Sequence, residues 1–216
     1  MKMDTLLIWI QGGLLDAITP YLRAVVVSLD PFEERQLFYF YYDCEITDEL
    51  FELASVASTE ASCACDYFSE DHILKLEFPQ KIPILGRLAY LRNEPGAEQY
   101  VQKKYEFDDE LPIVKLLLYV QQALLGRVTK NLRMLSVGLD AVVKKLGFYF
   151  VYDGPISIED RVLANAIIDE AVRPFTGYEV QRYLERIDFP QKPPSNGERV
   201  VYARYEDSSQ WVLKTD

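Results

Sequence analysis

This sequence is poor in several residue types, and each shortage removes a class of function. It has one histidine, His72, and three cysteines, Cys44, Cys63 and Cys65. An odd cysteine count without a repeating framework argues against a disulfide-stapled secreted domain and fits a reducing cytoplasm. Cys63-Ala64-Cys65 with His72 lacks zinc-knuckle spacing and has no second pair, so no metal is expected. Long apolar runs are missing too. The run Leu6 to Ile10 is too short to span a bilayer or to serve as a signal peptide, and its counterpart Leu116 to Val120 lies mid-chain. Both read as buried helix faces. Basic residues are outnumbered, 23 Lys and Arg against 34 Asp and Glu, for a formal charge of −11. A surface of that sign argues against nucleic acid and anionic membranes, and it permits a basic protein partner. No P-loop, G-x-G-x-x-G, G-x-S-x-G or H-E-x-x-H occurs, so no cofactor and no catalytic residue are assigned.

What is present is a repeat. Phe38-Tyr39-Phe40-Tyr41-Tyr42-Asp43 returns as Phe148-Tyr149-Phe150-Val151-Tyr152-Asp153. The same offset pairs Leu6-Leu7 with Leu116-Leu117, Gln11 with Gln121, Leu22-Arg23 with Leu132-Arg133 and Leu53-Ala54 with Leu163-Ala164. After one insertion, Phe78-Pro79-Gln80-Lys81 matches Phe189-Pro190-Gln191-Lys192, and after another Tyr90 and Arg92 match Tyr202 and Arg204. A period this long is a fused pair of small domains, not a solenoid unit. The expected division is a first repeat over 5–92, a linker over 93–112, a second repeat over 113–206 and a tail over 207–216.

Each copy reads α-β-β-α-β-β. A helix over Leu6–Ile18 ends at Pro20, and strands follow over Leu22–Asp30 and Gln36–Asp43. Thr47 and Ser157 are N-cap candidates for helices over Asp48–Cys63 and Glu159–Val172. Third strands are expected over His72–Phe78 and Tyr178–Phe189, and fourth strands over Leu88–Arg92 and Arg199–Arg204. The linker has room for a short helix over Ala97–Tyr105, and Trp211 in the tail could dock on the surface. The fold class is therefore α+β: two tandem copies, each an antiparallel sheet with helices on one face. A near two-fold or a simple rotation between the copies is expected, because duplicated domains often replace a homodimer interface. Leu14, Leu22, Phe38, Phe40 and Leu53, with Leu124, Leu132, Phe148, Phe150 and Leu163, are the predicted core.

The acid/base material common to both copies is Asp43 with Glu49 and Asp153 with Glu159. Turn chemistry and helix-dipole stabilisation account for these without a substrate. Exposed carboxylates group as Asp43, Glu45, Asp48, Glu49 and Glu52, as Asp66, Glu70 and Asp71, and as Asp153, Glu159, Asp160, Asp169 and Glu170. The residues assigned to a protein-binding surface are Asp43, Glu45, Asp48, Glu49, Asp153, Glu159 and Asp160. Beside tyrosines they would suit a basic partner.

The runs Leu22-Arg23, Tyr39 to Ile46, Glu77 to Pro83, Gly86 and Leu88 to Glu94 resemble small single-domain bacterial immunity proteins. Those are cytoplasmic proteins that neutralise a toxin delivered by neighbouring cells, as in contact-dependent inhibition and other polymorphic toxin systems. The resemblance covers one copy at a time. The second copy departs from it with Gly154-Pro155 in the turn, and the tandem arrangement departs from the single-domain pattern. It implies a non-enzymatic, cytoplasmic, toxin-binding inhibitor that acts by occlusion. The chain would be a monomer with internal pseudo-symmetry or a weak homo-oligomer. An enzyme using the paired carboxylates in a cleft, or a scaffold with self-associating repeats, are the alternatives.

Overall fold

The computed structural model describes residues 3–15, 17–30, 32–63, 67–101, 111–194, 199–206 and 210. Cys65, Asp66, Trp211 and the far part of the expected linker helix lie outside them.

The first half runs α1 (Met3–Gly13), β1 (Leu22–Asp30), β2 (Arg35–Tyr42), α2 (Asp48–Ser62), β3 (Phe68–Lys75) and β4 (Arg87–Leu91). The second repeats it as α3 (Pro112–Leu124), β5 (Leu132–Asp140), β6 (Lys145–Tyr152), α4 (Ile158–Ala171), β7 (Glu179–Arg186) and β8 (Arg199–Ala203). A short 3-10 helix, Ala97–Tyr100, stands between them. The strand orders are β3-β2-β1-β4 and β7-β6-β5-β8. The aromatic strands are central, as their two bulky faces require.

The sheets are mixed, which corrects the expectation of a wholly antiparallel sheet. β1 pairs antiparallel with β2 and β4, but β2 pairs parallel with β3, and β6 with β7. The helix between the two aromatic-side strands is the cause. It carries the chain back over the sheet, and the next strand starts in the same direction. The third strand of the first copy is also displaced from its expected position. β3 starts at Phe68, opposite Arg35, and ends at Lys75, while β7, Glu179–Arg186, lies within the expected Tyr178–Phe189.

Local chemistry sets the turns. Asp30 accepts backbone N–H bonds from Phe32 and Glu33, and Asp140 does the same for Val142 and Val143. Thr47 caps α2 by accepting from the Leu50 N–H at 3.3 Å. Ser157 and Asp160 complete a capping box on α4. α1 stops at Gly13, short of the expected Ile18. A Cβ on Gly13 would lie 2.3 Å from the carbonyl oxygen of Ala57, so glycine there lets α1 and α2 touch.

Helices cover one face of each sheet. Leu14, Leu22, Phe38 and Phe40, with Leu124, Leu132, Phe148 and Phe150, are buried in one cluster that includes both halves. Leu53 and Leu163 are only half-buried. The buried stripe of α2 runs through Ala54, Ala57 and Ala61, which brings the helix close and leaves Leu53 at its flank. On the opposite face of the first sheet, Ala24, Val26 and Tyr41 pack with Ile82, Leu91 and Ala97.

One seam differs between the copies. Between α2 and β3, Ser58 donates to Asp71 at 2.7 Å, Gln36 donates to Ser69 at 2.7 Å, and the Ser62 and Ser69 hydroxyls meet. The second copy places Leu146, Ile168, Val172 and Val180 at the positions of Gln36, Ser58, Ser62 and Ser69. Partial desolvation against α2 pushes the Asp71 carboxyl above its ordinary range, although the Ser58 bond and the His72 charge oppose it and the residue as a whole is exposed. A raised folded-state pKa means that the native chain holds a proton the unfolded chain has released, between the ordinary carboxylate range and the raised value. Asp71 therefore weakens the fold as pH rises through that window. Asp71→Asn, which keeps an acceptor for Ser58, is expected to raise the urea midpoint slightly at pH 7, because solvent screens the exposed carboxyl, with the gain shrinking toward pH 4. A gain of equal size at both pH values would defeat this account.

Candidate protein-binding surface

The seven carboxylates assigned from sequence fall into four situations. Asp43 and Asp153 belong to a duplicated ion network at the end of each sheet. Asp43 pairs with Arg92 at 2.7 Å, and Asp153 pairs with Arg204 at 2.9 Å. Asp153 also accepts the backbone N–H of Phe189 at 3.2 Å. Burial works against the charge on each arginine, but their carboxylate partners more than offset it and raise both pKa values. Behind them lie Arg23 with Glu94 and Arg133 with Glu206, all buried. Each inner arginine grips its glutamate with two nitrogens and donates to a backbone carbonyl, of Leu76 or of Ile187. Each also lies over an aromatic ring, 5.7 Å from the Phe78 centroid and 5.8 Å from that of Phe189.

Asp160, expected on the surface, is buried. It accepts from the Ser157 backbone and hydroxyl and from Thr129 Oγ1 at 2.8 Å. Glu49 and Glu159 bridge the two halves. Tyr205 Oη donates to Glu49 Oε1 at 3.0 Å, and Asn93 Nδ2 to Glu159 Oε1 at 3.5 Å. Only Glu45 and Asp48 stand free of these internal arrangements. Glu45 is solvent-exposed and takes a bond from Lys75 Nζ at 2.5 Å. Asp48 opens α2 and is solvent-exposed. The two pairs weighed as acid/base couples thus do not converge: Asp43 is held by Arg92 while Glu49 turns to Tyr205. Beside them, burial first, then the charges of Asp43 and Glu45, push the Cys44 thiol up, which disfavours a thiolate nucleophile there.

Other groups are also engaged. Glu70 contacts His72 at 3.2 Å, and the His72 ring stacks on Tyr39 at 4.6 Å between centroids. Arg127 pairs with the buried Glu170 at 2.9 Å. Among the described residues no three of His, Cys, Asp and Glu cluster as metal ligands, and no helix is long and apolar enough to cross a membrane.

The solvent face of α2 differs in kind from that of α4. Asp48, Glu49, Phe51, Glu52 and Glu60 are exposed on α2, which has no lysine or arginine. Phe51 is 56% exposed. The second copy has Ile158, Arg161 and Val162 where the first has Asp48, Phe51 and Glu52. An acidic face with one exposed ring can meet a basic surface and anchor in it. Sequence reasoning missed Arg23 and Arg133. The signal was an arginine in the same place of both otherwise apolar strands.

A comparison with curated protein sequences gives no significant match. Among solved structures, two fragments of the periplasmic domain of the T3SS inner membrane protein PrgH from S. typhimurium align at 14% identity. Fragment 170–362 is covered to 68% by 77% of this chain with a TM-score of 0.22, and fragment 170–392 to 67% by 81% with a TM-score of 0.23. Scores that low carry no argument about this protein. A family model described as "MafI2 immunity protein" matches residues 3–94 and again 113–206. Those two matches take in one α-β-β-α-β-β unit each, so the chain belongs to the MafI2 immunity protein family and carries its domain twice.

Proposed function

We propose that this chain is a non-enzymatic inhibitor that binds a toxin protein in the cytoplasm and blocks it by occlusion. The observation that carries the reading is the family match over both halves. The fate of the carboxylates supports it: Asp43, Asp153 and Asp160 are held by internal partners, so they offer no convergent acid/base set. The binding surface in this reading is the start of the first unit's α2, with Glu45, Asp48, Glu49 and Glu52 around Phe51. The binding units are 5–92 and 113–206, with 93–112 as linker and 207–216 as tail. A basic partner would be steered to a chain of charge −11.

The test is protection of cells that express the toxin encoded next to this protein's gene. Co-expression is expected to restore growth. Asp48→Lys with Glu52→Lys, both exposed, is expected to weaken toxin binding and flatten its salt dependence while leaving the fold intact. Absence of protection would remove the immunity function from this chain. Protection with binding indifferent to salt and to the double substitution would move the site away from α2.

A further inference from the structure

The two halves meet through contacts that come in equivalent pairs. Gln11 Nε2 donates to the carbonyl of Val201 at 3.0 Å, and Gln121 Nε2 reaches that of Ala89 at 3.4 Å. Gln11 and Gln121 are equivalent residues, as are Ala89 and Val201. Ile18 forms a parallel bridge with Arg204, and Val128 forms the equivalent bridge with Arg92. The Tyr205 N–H donates to Ile18 at 2.8 Å, and the Asn93 N–H to Val128 at 3.2 Å. Glu49 with Tyr205 and Glu159 with Asn93 make a fourth pair. Residue i of one unit meets residue j of the other, and j meets i. That is the mark of an isologous, two-fold interface.

A tether imposes no such symmetry. Two domains that merely share a linker can settle at any relative angle, and their contacts would not reciprocate. The centre of the face is apolar: Leu14, Ile18 and Tyr90 line one small void together with Leu124, Val128 and Tyr202. All six are buried and belong to the one cluster that includes both halves. Each reciprocal contact named above uses residues outside the segment 102–110. The short 3-10 helix before that segment packs on the first sheet through Ala97.

We propose that this face is a complete dimerisation interface whose fitting partner is a second copy of the same unit, so that the chain is a tethered dimer whose halves stay paired without the tether. The inference stands apart from the toxin-inhibitor reading. The test uses the full chain with a specific protease site placed between positions 102 and 110. After cleavage, size-exclusion chromatography with light scattering is expected to show one species of unchanged mass with both fragments at 1:1. The pair is expected to persist on dilution to about 1 μM, as sub-micromolar affinity requires. It should also persist in 1 M sodium chloride, because the centre of the face is apolar and is not screened. Separation into two species at low salt, or precipitation of either fragment on cleavage, overturns the proposal. Separation only at high salt overturns its apolar basis and leaves the polar rim as what holds the halves.

Discussion

Replacing Arg133 with Ala is expected to cost about 3–5 kcal/mol of stability, the range for removing one partner of a buried ion pair. The Arg133 side chain is 0% exposed and that of Glu206 is 6% exposed. Their bond is bidentate, through Nε at 2.6 Å and a terminal nitrogen at 2.5 Å. Removing the guanidinium leaves Glu206 with Arg204 at 3.0 Å, the Ile187 carbonyl without its donor, and the face of Phe189 uncovered. The same loss is expected for Arg23→Ala, where Glu94 keeps Arg92 at 3.2 Å. The source of the cost can be separated. If it is the stranded charge, Arg133→Met combined with Glu206→Leu should recover most of it, since well-packed apolar replacements of buried pairs are often neutral or better. Arg133→Lys should not, because a point charge cannot reproduce the two-nitrogen grip. Urea denaturation of the four chains checks the set. A single substitution within 0.5 kcal/mol of the parent would show that the network is dispensable.

The same network marks where reading the sequence succeeds and where it stops. An aromatic run closed by Asp, repeated at a fixed offset, predicts a central strand and a duplicated fold, and β2 and β6 are those strands. Periodicity and N-cap chemistry place the second helices to within a residue or two. Strand direction was not legible in the same way. The parallel step from β2 to β3 follows from a helix crossing over the sheet, which is a three-dimensional constraint. The candidate surface was read least well for a related reason. A carboxylate looks the same in sequence whether it faces water, a cap or a buried arginine. Asp160 was grouped with exposed acids, yet its partners are Ser157, three residues away, and Thr129, across a turn and two strands. Asp43 and Arg92 are separated by most of a domain. Glu49 finds Tyr205 in the other copy, a pairing that no single-copy reading can reach.

Phe150→Ala is expected to cost about 3–5 kcal/mol, the transfer and cavity cost of deleting a buried aromatic ring, and Phe40→Ala the same. Phe150 is fully buried in the strand between β5 and β7, opposite Leu135 on one side and Leu184 on the other. Its ring stacks near Tyr152, with centroids 6.4 Å apart. Neighbours on both flanking strands leave little room to collapse into the space, so the cavity term should be retained in full. Phe32 is the internal control. It lies in a hairpin, 95% exposed, and its loss should fall within about 0.5 kcal/mol of zero. The pair also tests how the units share their stability. Phe40 and Phe150 sit in different halves but in one buried cluster. If the halves unfold together, either substitution should shift one common transition, followed by tryptophan fluorescence and by circular dichroism alike. If they unfold separately, Phe150→Ala should split the curve, with the first half melting at its original midpoint. Because the dyad contacts bind each unit to the other's fourth strand, the single shifted transition is the expected result.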